Sequence, residues 1–266
     1  MCHDLSFSAN TVEFITDLLP DIVFDHQLDI DFSMTDHTLS MSHKKHLVLL
    51  SKENHIHLNT FQWGLVADFM TTPEAIKKYR NDMANARAEK IFDKRSVWYR
   101  IRKQRCLVAV NGIYEHRKVT GFKNKIPYYI RLKSEQALLL PGFYNYSPNA
   151  DPETGEMTGT FSIITRSANE LMSQIHNDGN NKHRMPLFVP AEKALQWLDE
   201  QMTDESMQEY IDYCIDSAEL TAYPVWMIRT TKERPDGKEK SEPFDYEYLP
   251  ALGDDGPAQE MQTSLF

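Results

Sequence analysis

The sequence predicts an α+β domain built mainly on strands. Three observations carry that class. Apolar runs rich in β-branched and aromatic residues read as strands at 47–50, 56–66, 105–119, 127–132, 137–144, 160–165 and 220–227. Amphipathic segments read as helices at 10–19, 72–83, 167–175, 191–199 and 204–214, in blocks rather than in regular alternation with the strands. The phosphate-binding glycine motifs of nucleotide-binding α/β proteins, GxGxxG and the P-loop, are absent, as are GxSxG and HExxH.

Each element has its local reason. Asn10 caps a helix with Glu13 three residues on and Val12, Ile15 and Leu19 along one stripe, an arrangement suited to pinning the chain start on the core. Residues 21–45 are polar, rich in aspartate and histidine, and read as a long loop. Thr72-Pro73-Glu74 combines a hydroxyl cap with proline in the first turn. Ser167 and Glu170 read as a capping box for a helix whose Ala168, Leu171, Met172 and Ile175 share a face, with His176 just beyond. Residues 149–159 read as a turn-rich insertion. After Thr230 the composition turns to Lys, Glu, Asp, Pro and Gly, which divides the chain into a domain at 1–230 and a flexible acidic tail at 231–266.

Composition narrows the function classes. A chain of 266 residues with 41% hydrophobic and 11% aromatic residues can bury a sizeable core. Its net charge of -10 argues against a generally basic nucleic-acid binder, so any DNA contact needs a local cluster of arginines. Cys2, Cys106 and Cys214 lie far apart without CxxC spacing, which supports neither a disulfide framework nor a zinc knuckle and points to the cytoplasm. No membrane-spanning run or signal peptide is expected.

Several polar groups sit at the ends of these elements. Cys2 is the most distinctive, because removal of Met1 leaves an α-amine and a thiol on adjacent carbons. Their ordinary pKa values, ~8 and ~8.5, leave both partly available at neutral pH. Such a 1,2-aminothiol captures an aldehyde as an imine, and the sulfur then closes a thiazolidine ring. Position 2 is also where a frayed terminus lies. Asn85-Ala86-Arg87-Ala88-Glu89 gathers an amide, a guanidinium and a carboxylate, while Glu115 lies on a mostly apolar strand where burial would raise its pKa. His37, His43, His46, His55 and His57 lack paired cysteines or a helical HxxxH, and read as solvated residues rather than a metal site.

In their order along the chain these segments resemble the SOS-response-associated peptidase (SRAP) family, whose members begin Met-Cys and crosslink to abasic sites in single-stranded DNA. Met1-Cys2, Trp63-Gly64-Leu65, Asn85 to Glu89, Arg105-Cys106-Leu107 with Gly112-Ile113-Tyr114-Glu115, and Thr160 to Arg184-Met185-Pro186 carry the resemblance. The chain departs from the family pattern at Ala67, where a proline is usual, at Phe69, near a missing tryptophan, and at His116, which replaces a tryptophan.

The resemblance implies a single domain with a mixed, largely antiparallel, barrel-like sheet flanked by helices. It implies Cys2 as nucleophile, Asn85 orienting it, and Glu115 with a histidine handling protons; His176 is preferred and His183 is the alternative. Arg87, Arg184 and Thr165 would bind DNA, and Trp63 would stack on a base. No cofactor is implied; the partner is single-stranded DNA with abasic sites, and the protein is expected to act as a monomer. A cysteine peptidase, a non-covalent single-stranded DNA-binding module and a histidine-rich metal protein are the competing readings. Separately, Gln262-Thr263-Ser264-Leu265-Phe266 resembles the short peptides by which bacterial replication proteins dock on the sliding clamp.

Overall fold

The chain enters on a three-residue strand, β1 (Asp4–Ser6), and a helix, α1 (Ala9–Leu18), which starts at Ser8 rather than Asn10. This computed structural model describes residues 2–25, 37–134, 137–151 and 153–254. Short strands β2 (Val23–Phe24) and β3 (Thr38–Leu39) lie at the two ends of the stretch expected as loop. Next, β4 (Lys45–Lys52) and β5 (His55–Trp63) form a hairpin through Glu53 and Asn54, both at positive φ. Thr72 caps α2 (Pro73–Tyr79) as expected, and the turn to Met83 tightens into a 3-10 helix.

Beyond β6 (Asn85–Arg87) and α3 (Val97–Ile101), the stretch expected as one strand is two: β7 (Arg105–Val110) and β8 (Gly112–Arg117). The break is Asn111, whose N–H donates to Ser6 O and whose Oδ1 accepts from Thr11 Oγ1. The chain continues through β9 (Ile126–Leu132), β10 (Leu138–Ala150) and β11 (Met157–Ser167), so the 149–159 insertion is mostly the end of a hairpin. Asn169 rather than Ser167 caps α4 (Glu170–Ile175), because Ser167 still belongs to β11. The remaining elements are β12 (Arg184–Pro186), α5 (Ala191–Ala194), α6 (Asp204–Asp212) and β13 (Leu220–Pro224).

Strands β11, β10, β7, β4 and β5 are neighbours in that order, antiparallel at each step. Strand β5 then returns to β11 in parallel, with Gln62 opposite Thr160 and Trp63 opposite Phe161. That pairing closes a five-stranded barrel, mixed but largely antiparallel. β6 and β12 add to β11, and β2 adds to β5. A second, antiparallel sheet runs β13-β9-β8-β1-β3.

Both faces of the barrel strands are covered, which explains why their sequences read as continuous apolar runs. Leu47, Leu49, Leu107 and Ala109 pack with helix residues such as Ile15, Trp98, Trp197 and Met207. Their neighbours Val48, Leu50, Cys106 and Val108 pack with Cys2, Leu5, Ile113 and Ile130 of the second sheet. Packing does not stop at Thr230. Arg117, fully buried, donates to Pro250 O and Ala251 O at 2.8 and 2.7 Å, and Tyr246 donates to Val225 O. Packing therefore continues well past Thr230, and polar composition alone concealed the aromatic anchors Trp226, Phe244 and Tyr246. Among the described residues no helix is long and apolar enough to cross a membrane.

Candidate functional site

Strand β1 pairs Asp4 with Tyr114 of β8, so the residues just before Asp4 run alongside Glu115 and His116. Cys2 is 1% exposed there. Its carbonyl oxygen accepts from Asn85 Nδ2 at 2.9 Å, and its thiol faces Asp4 O at 3.7 Å. Asn85 itself is fixed by β6, which lies parallel to β11 with Asn85 opposite Ile163. Among the described residues the buried Asn85 amide oxygen meets no hydrogen-bond donor.

Glu115 acts on the Cys2 thiol through its charge, and His176 lies next to Glu115. The Glu115 Oε2 lies 3.9 Å from His176 Nδ1, and its Oε1 accepts from the His116 backbone N–H at 2.9 Å. Burial raises the Glu115 carboxyl to about 7. Burial likewise lowers His176 to about 4, although its Nδ1 meets Arg184 O at 2.9 Å. The Cys2 thiol is pushed up by burial first, then by the charges of Glu115 and Asp4. The cluster thus holds a neutral thiol, a carboxyl that titrates near neutrality and an uncharged imidazole.

His183 is exposed, in the left-handed region at φ 60, with its N–H on His176 O. Of the two histidines, His176 is the one that lies beside Glu115. Arg87 is exposed and donates to Asn181 Oδ1. Arg184 makes a two-pronged ion pair with Glu89, at 3.0 and 3.1 Å, and donates to Thr165 O at 2.7 Å.

Two expected DNA contacts are corrected. Trp63 is fully buried, stacked parallel to Phe161 with its Nε1 donating to Ala84 O, so it offers no face to a base. Thr165 is fully buried with its hydroxyl directed to Ala86 O at 3.5 Å, and the carbonyl it gives Arg184 is structural. The histidines of the polar stretch go separate ways: His46 lies edge-on to Trp63 and Phe161, His57 meets Asp25, and His37 meets Asp4. Among the described residues no three His, Cys, Asp or Glu side chains form a metal-ligand group. Met1, Gln262, Leu265 and Phe266 lie outside the described residues.

Asp4, 1% exposed, is the site residue that sequence reasoning missed. Burial alone would raise its carboxyl, but hydrogen bonds from His37 and Arg229 outweigh it and hold the group below the usual range. Its proximity to Cys2 in sequence was visible; its pairing with Arg229, 225 residues away, was not.

A family model described as SOS response associated peptidase (SRAP) matches residues 9–228. This chain belongs to the SRAP family. The SRAP match begins after Cys2, so the arrangement around that residue stands on the geometry above. Abasic site processing protein YoqW of Bacillus subtilis (strain 168) is 29% identical over 181 residues, 67% of this chain and 74% of the relative. Abasic site processing protein HMCES of Pongo abelii is 28% identical over 165 residues, 52% of this chain and 44% of that longer protein. A crystal structure of a Bacteroides thetaiotaomicron protein superposes with a TM-score of 0.71 at 29% identity, covering 91% of this chain and 97% of that one. The SRAP fold thus extends over nearly the whole described body.

Proposed function

We propose that the protein processes abasic sites in single-stranded DNA, in the DNA damage response, by forming a covalent adduct through Cys2 once Met1 is removed. The observation that carries this reading is the burial of Cys2 beside Asn85 and Glu115, with His176 next to Glu115. The names of the relatives, abasic site processing proteins, supply the substrate class.

The Cys2 α-amine attacks C1 of the ring-opened sugar, and the resulting carbinolamine loses water to give an imine. The S–H then adds across the C=N bond, sulfur to carbon and proton to nitrogen, closing a thiazolidine with no external reductant or oxidant. The neutral thiol makes the amine the first nucleophile. Glu115, half-protonated near neutrality, gives the departing hydroxyl its proton, and His176 moves protons at the sugar oxygen; such roles contribute ~10²–10⁴-fold each. Asn85 holds the Cys2 carbonyl so that the amine keeps one orientation. Arg87, exposed two residues beyond Asn85 on β6, is placed to meet a DNA phosphate.

The test is incubation with single-stranded DNA carrying one abasic site, read as a denaturation-resistant shifted band. Equal yields from wild type and Cys2→Ala would reject the mechanism.

A thiol peptidase needs a readily formed thiolate, and burial here works against one. A narrower activity fits better: removal of the protein's own Met1 with Glu115 assisting. Intact mass of Glu115→Ala checks it, retained Met1 implicating the site and lost Met1 a host aminopeptidase. The protein would act as a monomer in the cytoplasm, a compartment that its unpaired cysteines suit. The 262–266 peptide would tether the protein to the sliding clamp and raise its concentration near single-stranded gaps. Deleting Leu265 and Phe266 should then end clamp pull-down while crosslinking continues.

A further inference from the structure

We infer that Arg229, held in place by the buried carboxylate of Asp4, binds a phosphate flanking the abasic sugar. The inference rests on Cys2 being the reactive group. Arg229 Nε donates to Asp4 Oδ1 at 2.9 Å and its Nη2 to Oδ2, so the guanidinium plane is locked to a residue two positions from Cys2. The two ends of this pair differ sharply: the Asp4 side chain is 2% exposed and that of Arg229 48%.

Asp4 also has a second hydrogen-bond partner, His37, whose Nε2 lies 2.7 Å from its Oδ1. Among the described residues Arg229 Nη1 has no hydrogen-bond partner, which leaves one edge of the fork for an anion. Its charge is felt at both Cys2 and Glu115. In a chain of net charge -10 a cation fixed at the reactive residue matters more than the mean field, which repels DNA. Arg87 stands on the barrel side, two residues beyond Asn85 on β6, whereas Arg229 is tied to the second sheet through β1. An abasic nucleotide carries a phosphate on each side of its sugar, and these two arginines suit that pair.

The experiment uses the full chain and single-stranded oligonucleotides with one abasic site, in which either flanking phosphate is native or a neutral methylphosphonate. Binding is followed by fluorescence anisotropy and crosslinking by gel, across a salt series. Arg229→Ala should weaken binding of native DNA about tenfold and reduce the salt slope by about 0.7, the single-strand value for one phosphate. One of the two methylphosphonates should weaken wild type to the same degree and leave Arg229→Ala unaffected. The control is Asp4→Asn/Arg229→Ala, which removes the buried anion together with its partner and keeps the experiment informative if Arg229→Ala does not fold. If the double variant regains wild-type binding and salt slope, Arg229 only neutralises Asp4 and the inference fails. If it stays weak and insensitive to the methylphosphonate, the inference holds. A wild-type protein that forms no crosslink rejects the reading of Cys2, while its anisotropy still decides whether Arg229 meets a phosphate.

Discussion

Glu115 and His176 hold protons in the reverse of the order they would in water. A carboxyl raised from 4.5 to about 7 lies beside an imidazole lowered from 6.5 to about 4, so through mildly acidic pH the carboxyl is protonated and the imidazole is not. If Glu115 donates the proton that water carries away, the rate ratio of wild type to Glu115→Gln is largest below pH 7 and shrinks above it. The amine titration, common to both proteins, cancels in that ratio; a ratio that grows above pH 7 would make Glu115 a base instead. Stability follows the same groups. The folded protein binds an extra proton at Glu115 between 4.5 and about 7, which lowers stability as pH rises; it lacks one at His176 between about 4 and 6.5, which raises it. The two slopes nearly cancel in wild type. His46 and His116 titrate in the same sense as His176 and are common to both proteins, so the difference isolates Glu115: Glu115→Gln should gain about 3 kcal/mol relative to wild type in urea melts from pH 4.5 to 7. Cys2, Asn85, Glu115 and His176 were legible as chemistry in motif order. Asp4 and Arg229 were not, because a contact across 225 residues leaves no local pattern.

At the level of elements, β11 organises the molecule, pairing with β10, β12, β5 and β6. Its approach to β10 is so close at Gly142 that an added Cβ would lie 2.3 Å from Ser162 O. Backbone cannot yield as a flexible side chain does, so Gly142→Ala should lower stability by about 1–3 kcal/mol, read as a fall in the urea midpoint. The longer elements were visible through apolar runs and caps, as at Thr72. Strands of two or three residues, such as β1 and β6, were not, because so short a segment has no periodicity to read. These short strands carry Asp4 and Asn85, so the least legible backbone holds part of the site.

Over the whole molecule, the boundary expected at residue 230 gives way to a C-terminal segment that caps a buried cation. Arg117 is 0% exposed and donates to carbonyls of Pro250 and Ala251. Truncation after Thr230 would strip those acceptors, and losing the partners of a buried charge typically costs about 3–5 kcal/mol. The truncated chain should show a clearly lower Tm, and Arg117→Met should recover part of the loss in the truncated protein alone. The barrel itself was anticipated from family resemblance; its closure depends on the parallel return of β5 to β11, which antiparallel patterning does not reveal.

The tie between Asp4 and Arg229 also has a kinetic meaning. Two residues 225 positions apart meet only after the intervening strands have collapsed, since loop-closure entropy must be overcome before the contact contributes. The lock on the reactive residue is therefore a late event, absent from the folding transition state. Asp4→Asn should accelerate unfolding in a denaturant chevron and leave the refolding limb in place. Of the whole fold, the reactive end would then be the last part to close and the first to open.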